Sequence, residues 1–316
     1  QMCIRDSYLP LLHRLSSGEW FTSRTSAALL FASVYEKIPL SMRADVHSMF
    51  VSLCTDETPM VRRAAARDMS ALVKRMSPEV IINEMLPLYR RLSADDQDSV
   101  RLLTVQNLVA MAEVLSPAET QQLLLSSICG AFQDKSWRVR YMAADNFVQL
   151  ATAVGEDVVK EDLVPAYINL MRDAEAEVRT AAATQLPGLA KLLDQNTIIE
   201  RLLPVAKELA DDPSQHVRGA LAAQVSALAP LLGKDATTEH LLPLFLQLLK
   251  DEFPEVRLNI ISRLEQVNEV IGIDLLSQSL LPAIMTLAED KQWRVRQAII
   301  ENIPLLAHPV SYTHLR

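Results

Sequence analysis

Seven aspartates and seven arginines recur along this chain at a fixed spacing, and they are the residues best placed to do chemistry. Each aspartate lies five residues before a valine, and an arginine follows that valine directly. A carboxylate and a guanidinium can form a bidentate ion pair or can hydrogen-bond a turn. The aspartates are Asp56, Asp95, Asp134, Asp173, Asp212, Asp251 and Asp290, and the arginines are Arg62, Arg101, Arg140, Arg179, Arg218, Arg257 and Arg296.

Two interpretations of these charges are open. We favour a structural ladder of ion pairs or turn hydrogen bonds, because a catalytic pair would not be copied from unit to unit. The alternative is a row of charges that faces a partner. Residues that differ between units at the same turn are better candidates for function.

Other chemistry has little support in the sequence. Motifs for phosphate loops, dinucleotide binding, zinc proteases or paired redox cysteines do not occur. The paired acids Asp95-Asp96 and Asp211-Asp212 recur at one place in their units, which argues against a catalytic dyad. The sequence therefore predicts no catalytic residue, no metal site and no cofactor. We expect the scattered histidines to be structural or solvated; they are His13, His47, His216, His240, His308 and His314.

The element that positions each pair is a repeat of 39 residues. A helical period of about 40 residues is typical of HEAT or armadillo solenoids. The second helix of each unit should start at the Val-Arg pair, since apolar residues recur at 0, 8 and 11 positions from the valine, on one helical stripe. We predict an all-α, HEAT-repeat α-solenoid, a right-handed superhelical stack of antiparallel helix pairs. The valines are Val61, Val100, Val139, Val178, Val217, Val256 and Val295.

The first helix of many units contains a proline, thirteen residues before the valine in the case of Pro87. Proline fits a first helical turn and kinks a helix when it lies deeper, and the sequence leaves both possibilities open. A degenerate further unit contains Pro10 and Arg24. We therefore predict a single solenoid of about eight units over residues 8–309.

Composition agrees with this fold class. The chain is 49% hydrophobic and 5% aromatic, with seven glycines, as expected of an all-α array. A net charge of −8 argues against general nucleic-acid binding. No apolar run reaches the ~20 residues that a membrane span needs. Cys3, Cys54 and Cys129 show no paired spacing, which predicts reduced thiols in an intracellular protein. We expect it in the cytoplasm, with the nucleus as a second compartment.

The two ends of the chain do not read as repeats. Residues 2–6 and 310–314 can be encoded by complementary strings, as sequencing adapters at both ends of an insert would be. We interpret residues 1–7 and 310–316 as artefacts and leave them out of fold reasoning. The expectation that follows is an internal piece of a longer protein.

Two tryptophans occupy a variable position of the turn, two residues before the valine. Trp137 and Trp293 are each followed by an arginine, Arg138 and Arg294. Each indole could cap its own unit, or each pair could anchor a protein partner, since tryptophan and arginine are enriched at interface hot spots. Trp20 is a third case of the same kind.

At these turns the chain closely resembles the scaffold (A, or structural) subunits of protein phosphatase 2A, a HEAT-repeat family. The likeness covers nearly everything between the two ends and departs most at residues 186–201. The matching segments include residues 20–24 (WFTSR), 58–66 (TPMVRRAAA), 97–103 (QDSVRLL), 134–142 (DKSWRVRYM), 175–179 (EAEVR), 239–246 (EHLLPLFL), 254–262 (PEVRLNIIS) and 268–273 (NEVIGI).

The resemblance implies a non-catalytic scaffold whose turns bind a regulatory B-type subunit and the phosphatase catalytic subunit. The metal ions of that assembly belong to the catalytic subunit. Trp293 and Arg294 would begin the catalytic-subunit site. The regulatory-subunit site would comprise Trp20, Arg24, Glu57, Pro59, Met60, Arg62, Arg63, Asp98, Trp137 and Arg138.

Two other functions compete with this one. An importin-β-like transport receptor would have less regular repeats and usually an acidic loop, which does not occur here. A lyase-like enzyme on a HEAT platform would need a catalytic constellation, and the sequence offers none.

Overall fold

The computed structural model describes residues 8–306, except for the side chains of residues 273, 274, 276, 277, 281 and 303–306. The suspected foreign segments, 1–7 and 310–316, lie outside the described residues. No strand occurs in the described range, and no helix there is long and apolar enough to cross a membrane. The chain divides into two compact units, residues 1–158 and 159–316. The prediction of a single solenoid over residues 8–309 stays a prediction.

The first unit contains eleven α-helical segments within its described residues. A 3₁₀ turn spans Tyr35–Lys37 and a π-helical segment spans Ile81–Met85. The α-helices are α1 Leu9–Ser16, α2 Phe21–Val34, α3 Leu40–Cys54, α4 Pro59–Val73, α5 Pro78–Val80, α6 Leu86–Ser93, α7 Asp98–Val114, α8 Pro117–Phe132, α9 Trp137–Asp145, α10 Phe147–Val154 and α11 Glu156–Val158.

The second unit has the same alternation. Its π-helical segments are Val159–Leu163, Ile198–Leu202 and Thr237–Leu241, and a 3₁₀ turn spans Val225–Leu228. The α-helices are α12 Val164–Met171, α13 Ala176–Ala190, α14 Gln195–Thr197, α15 Leu203–Ala210, α16 Gln215–Gln224, α17 Ala229–Ala236, α18 Leu242–Leu248, α19 Pro254–Ile261, α20 Leu264–Ile271, α21 Ile273–Ala288 and α22 Trp293–Leu306.

Each unit is a stack of helix pairs, with the first helices on one side and the second helices on the other. In the first unit α3 packs on α4 and α6 on α7, while the second helices α2, α4, α7 and α9 pack on one another in chain order. In the second unit each first helix packs on the second helix of its pair, as α12 does on α13, α15 on α16, α18 on α19 and α21 on α22. The second helices pack on one another in chain order, from α13 through α16 and α19 to α22. The predicted all-α architecture of stacked helix pairs is confirmed.

The apolar stripe of the second helix forms the core of both units. Val61 and Met69 of α4 have no exposed surface, and Leu72 is 1% exposed. The equivalent residues of the later helices are also buried, up to Val295. Ile303 and Leu306, at the end of the same pattern, are among the residues whose side chains are not described. One helix pair cannot cover this stripe alone, so neighbouring pairs must cover it.

The second helix begins two residues earlier than the sequence suggested. Helix α4 starts at Pro59 rather than at Val61, and α9 starts at Trp137 rather than at Val139. The residue before each start is extended, as Thr58 is with ψ 117°. The variable turn position is therefore the first helical residue, which suits proline because its missing N–H would have no partner there.

The prolines of the first helices lie inside helices and not at their starts. A five-residue π-helical segment precedes the Leu86-Pro87 step, and the backbone stays helical across it, with Met85 at φ −83° and ψ −36°. The same arrangement precedes Pro165, Pro204 and Pro243. Proline clashes with the carbonyl four residues back and lacks a donor, so widening the preceding turn relieves both problems.

Three glycines have positive φ. Gly155 and Gly272 follow the last residues of α10 and α20, and Gly233 interrupts α17 at φ 73° and ψ 179°. This region of backbone space is essentially restricted to glycine. A Cβ at Gly233 would meet nothing within 4 Å, so a substitution there changes only the backbone strain.

We expect Gly233→Ala to destabilise the protein by about 1–3 kcal/mol, the usual cost of such a backbone conformation. The matched control is Gly130→Ala, because Gly130 lies inside α8 and its added Cβ also meets nothing within 4 Å. Alanine favours the helix, so the control should be neutral or slightly stabilising. Urea unfolding of both variants measures the difference, and equal midpoints would contradict the prediction.

Candidate protein-binding ridge

The repeated arginines and aspartates bind each other across neighbouring layers of the stack, where one layer is one helix pair with its turn. In the first unit Arg24, Arg62 and Arg101 each reach the aspartate of the following layer, 32 or 33 residues on, with two parallel hydrogen bonds. The Nε–Oδ2 distances are 2.6 Å for Arg24–Asp56, 2.5 Å for Arg62–Asp95 and 2.9 Å for Arg101–Asp134.

The same guanidinium also holds its own turn. Nη1 of Arg62 donates to the carbonyl oxygens of Asp56 and Glu57 at 2.8 and 3.1 Å. The Asp56 carboxylate accepts the backbone N–H of Thr58 at 2.8 Å, which closes the turn. One arginine therefore braces the turn of its own layer and the carboxylate of the next.

The second unit repeats this geometry. Nη1 of Arg179 donates to the Asp173 carbonyl at 2.8 Å, and the equivalent bond of Arg296 to Asp290 is 2.7 Å. Arg140 of the first unit donates in the same way to Asp134 at 2.8 Å. The Nε–Oδ2 distances across layers are 2.7 Å for Arg179–Asp212, 2.6 Å for Arg218–Asp251 and 3.0 Å for Arg257–Asp290.

These charges point inward. Arg101 and Arg218 are only 5% and 7% exposed, so most of each guanidinium is out of reach of a partner. Burial alone would raise the pKa of Asp56 and Asp95, but hydrogen bonds from Arg24 and Arg62 and from the turn N–H groups outweigh it and hold both pKa values below their ordinary range. The hydrogen bonds that Arg62 and Arg101 donate to Asp95 and Asp134 raise the pKa of both guanidinium groups in turn.

The exposed surface of the turns consists of the residues that vary. Beside the Arg62 bridge, Glu57, Pro59 and Arg63 are exposed, and Met60 is 50% exposed. We call this outer surface of the turns the ridge. Arg24 and Arg62 belong to the candidate regulatory-subunit residues, yet the structure places both in the bridges beneath the ridge.

Asp98, Trp137 and Arg138 form one cluster on the ridge of the first unit. The Arg138 guanidinium stacks over the Trp137 indole at 4.9 Å and lies 3.4 Å from the Asp98 carboxylate. Ser136 Oγ donates to the same carboxylate at 2.9 Å. This hydrogen bond and the charge of Arg138 lower the pKa of Asp98. Trp137 is half-buried, so part of its side chain is open to solvent.

Trp293 and Arg294 form a looser pair in the second unit. The guanidinium lies 5.7 Å from the indole centre, and Trp293 is 59% exposed. Trp20 differs from both tryptophans. It occupies the residue before α2, and Phe21 takes the first helical position. Trp20 therefore lies one residue before the position that Trp137 and Trp293 occupy in their helices. It is 75% exposed.

One polar cluster was not anticipated from the sequence. The ring of His47 is buried in α3, with Nε2 2.9 Å from the Tyr35 hydroxyl and Nδ1 against the Glu84 carboxylate. Three successive layers of the first unit meet there. The available signal was positional, because other repeats have Leu86 or Val164 where this repeat has His47.

Comparison with known families finds HEAT repeats in the second half of the chain. A model described as PPP2R1A-like HEAT repeat matches residues 156–233, and a general HEAT-repeat model matches residues 241–271 and 280–308. A model described as PIK3R4-like, middle domain, matches residues 79–192.

Curated relatives share about half of the residues over short segments. The protein phosphatase 2A scaffold subunit of Dictyostelium discoideum is 50% identical over 84 residues, which are 27% of this chain and 14% of that protein. The beta isoform of the human 65 kDa regulatory subunit of serine/threonine-protein phosphatase 2A is 52% identical over 67 residues, 21% of this chain and 11% of that protein. The protein phosphatase PP2A regulatory subunit of Schizosaccharomyces pombe is 54% identical over 87 residues, 27% and 15% of the two chains.

Solved structures support the fold alone. The structure of Kap95p with RanGDP gives a TM-score of 0.72 at 14% identity, covering 94% of this chain and 40% of that chain. The karyopherin Kap121p, bound to the extreme C-terminus of the phosphatase Cdc14p, gives 0.68 at 15% identity, covering 96% and 35%. The chain is thus a HEAT-repeat protein with local sequence likeness to protein phosphatase 2A scaffold subunits.

We expect Arg101→Met to destabilise the protein by about 3–5 kcal/mol, because it leaves the Asp134 carboxylate without its partner. Arg101→Met with Asp134→Leu should cost clearly less than the sum of the single changes. The control is Arg172→Met, since the Arg172–Glu208 pair is half exposed on both sides and should matter little. Urea unfolding gives the free energy of unfolding of the two single variants, the double variant and the control. A double variant that loses as much stability as the two single changes together would contradict the bridge.

The stabilisation that the bridges provide should decrease as the pH falls. The pKa of Asp95 is lower in the folded chain than in the unfolded one, so the unfolded chain takes up the proton first. The stabilisation is complete above the ordinary aspartate pKa, about 4, and is lost as the pH falls through the folded value. The stability difference between the protein and Asp95→Asn, measured by urea unfolding from pH 7 to pH 3, should therefore shrink as the pH falls. A stability difference between the two proteins that stays constant from pH 7 to pH 3 would contradict the prediction.

Proposed function

We propose that this chain is a non-catalytic scaffold that brings a phosphatase catalytic subunit and a regulatory subunit together, as part of a protein phosphatase 2A assembly. The observation that carries the proposal is the division of the turns. Their repeated charges are used up in bridges between layers, while the variable residues of the ridge face outward. Segments about half identical to named scaffold subunits support the choice of partners.

The proposed regulatory-subunit surface lies on the first unit. It combines exposed apolar groups, Trp20 and Met60, with the cation Arg63 and with the cluster around Trp137. Aromatic and arginine side chains are enriched among residues that dominate binding energy. Arg63 is the most direct candidate because it is exposed and repeats no ladder position.

The proposed catalytic-subunit surface begins at Trp293 and Arg294 on the second unit. Both side chains stand clear of the bridges. The catalytic subunit would supply the chemistry and the metal ions. On this proposal the chain is not an enzyme and has no cofactor, and it acts in the cytoplasm, with the nucleus as a second compartment.

A transport-receptor function is the competing proposal, since solved karyopherin structures share the fold. Identity of 14–15% to those chains carries no partner, whereas the scaffold subunits match at about 50% over their segments. The tagged full chain, mixed separately with purified phosphatase catalytic subunit, with B-type regulatory subunit and with a Ran GTPase, separates the two functions. Retention of the phosphatase subunits supports the scaffold, and retention of the GTPase alone would overturn it.

We expect Arg63→Glu to weaken regulatory-subunit binding about tenfold, chiefly through slower association, because rim charges steer encounter. Arg75→Glu is the matched control, a charge reversal in an exposed residue after the other end of α4. Surface plasmon resonance at two salt concentrations gives both rates, and circular dichroism checks the fold. Equal affinities of the two variants would contradict a role for Arg63.

A further inference from the structure

Three serine-proline or threonine-proline steps occur in the chain, and all three begin a helix of the first unit. The hydroxyl-bearing residue immediately precedes the helix, and the proline is its first residue: Thr58 precedes α4, Ser77 precedes α5 and Ser116 precedes α8. Proline-directed protein kinases select such steps, because their substrate cleft leaves the backbone N–H after the serine without a partner and proline has no N–H. The three hydroxyls can therefore be compared as phosphate acceptors.

Two of these hydroxyls are held by the fold. Thr58 Oγ1 accepts a hydrogen bond from Nη2 of Arg24 at 3.3 Å, beside the bridge. Ser116 Oγ donates to the Glu119 carboxylate at 2.7 Å and accepts the Glu119 backbone N–H at 3.4 Å, which makes a capping box. The helices that follow have 15 and 16 residues. Neither step can enter a kinase cleft until these contacts open.

Ser77 is exposed, and its hydroxyl forms no capping hydrogen bond. Its backbone is already extended, at φ −76° and ψ 155°. Helix α5, which follows, has only three residues and buries none of them. Met76 and Ile81 are buried on either side, so residues 77–80 form a short segment without core contacts. Such a segment can open locally at small cost in free energy.

The charges before the two serines also differ. Lys74 and Arg75, three and two residues before Ser77, are exposed cations. The residue three positions before Ser116 is Glu113. A substrate cleft that carries negative charge attracts the first segment and repels the second. Charge and accessibility therefore favour the same serine.

We infer that Ser77 is a phosphorylation site for a proline-directed serine/threonine kinase. In the reaction Ser77 Oγ bonds to the γ-phosphorus of a nucleoside triphosphate, and the bond from that phosphorus to the β-phosphate oxygen breaks. The nucleoside diphosphate leaves, and a carboxylate of the kinase takes the hydroxyl proton. The product carries about −1.5 to −2 more charge at this position.

The site lies away from the ridge. Ser77 follows the end of α4, whereas the ridge residues of this layer lie at its start, and 15 helical residues span about 22 Å. Phosphorylation of Ser77 would therefore change the charge of the first unit without covering the ridge. The inference is independent of the proposed scaffold function, since it requires no phosphatase subunit.

Phosphorylation of the folded full chain tests the site. The chain is incubated with a purified mitogen-activated protein kinase and magnesium ATP, and mass spectrometry follows the phosphate on each serine and threonine. Ser77 should react about tenfold faster than Ser116 or Thr58, because those residues must first give up their hydrogen bonds. Ser77→Ala should remove most of the incorporated phosphate, and Pro78→Ala should reduce the rate at Ser77 to a similar extent.

A capping box can be introduced at Ser77 as a matched variant. Val80 lies three residues after Ser77, as Glu119 lies three residues after Ser116. Val80→Glu should engage the Ser77 hydroxyl and slow its phosphorylation roughly fivefold, within the range that capping energies allow. Val80→Ala, which offers no carboxylate, is the control and should react at the original rate. Peptides of residues 71–83 with the same changes give the sequence preference of the kinase, and circular dichroism checks each folded variant.

Each result supports or overturns the inference. An unreactive Ser77 in the folded chain overturns it, whether or not the peptide reacts. Equal rates at Ser77 and Ser116 would show that the free hydroxyl and the short helix do not select the site. A rate that Pro78→Ala leaves unchanged would show that the kinase does not recognise the proline. A Val80→Glu effect that is as large in the peptide as in the folded chain would contradict the role of capping.

Discussion

The structure depends on one interaction, the bidentate bridge from the arginine of one layer to the aspartate of the next. Each bridge joins two layers, and the same guanidinium closes the turn of its own layer, as Arg62 does with the Asp56 carbonyl. Both groups are largely buried, so neither tolerates the loss of the other. The bridge recurs with the 39-residue period. It also forms between Arg24 and Asp56, which are 32 residues apart, where the other pairs are 33 apart.

Because of the bridge, some residues of each turn stabilise the stack and others are available for recognition. The residues that repeat point inward and are satisfied by one another, and the positions beside them are free to change. At the first position of the second helix the chain places a proline in α4, an aspartate in α7 and a tryptophan in α9. Binding can therefore be tuned at Pro59 or Trp137 while the bridge beneath it stays the same.

Much of the fold could be predicted from the sequence because the period and the apolar stripe are properties of the chain alone. The unpredicted parts depend on contacts between layers. The sequence shows Arg62 beside Asp56, but its carboxylate partner is Asp95, because the helix rotates the guanidinium toward the next turn. The π-helical turn before Pro87 and the buried His47 beside Tyr35 likewise follow from packing that no single unit reveals. On the ridge, Trp20 precedes the first residue of α2, whereas Trp137 and Trp293 are the first residues of their helices.

The central claim is that the repeated charges stabilise the stack while the variable ridge residues bind. The affinity for a B-type regulatory subunit of a protein whose bridge is replaced by apolar groups, Arg101→Met with Asp134→Leu, tests that claim most directly. Calorimetric titration of the folded variant should give the same dissociation constant as the unmodified chain, within about twofold, since neither side chain faces the partner. A loss of tenfold or more, with the helical signal intact, would show that the bridge itself is part of the binding surface and would contradict the account.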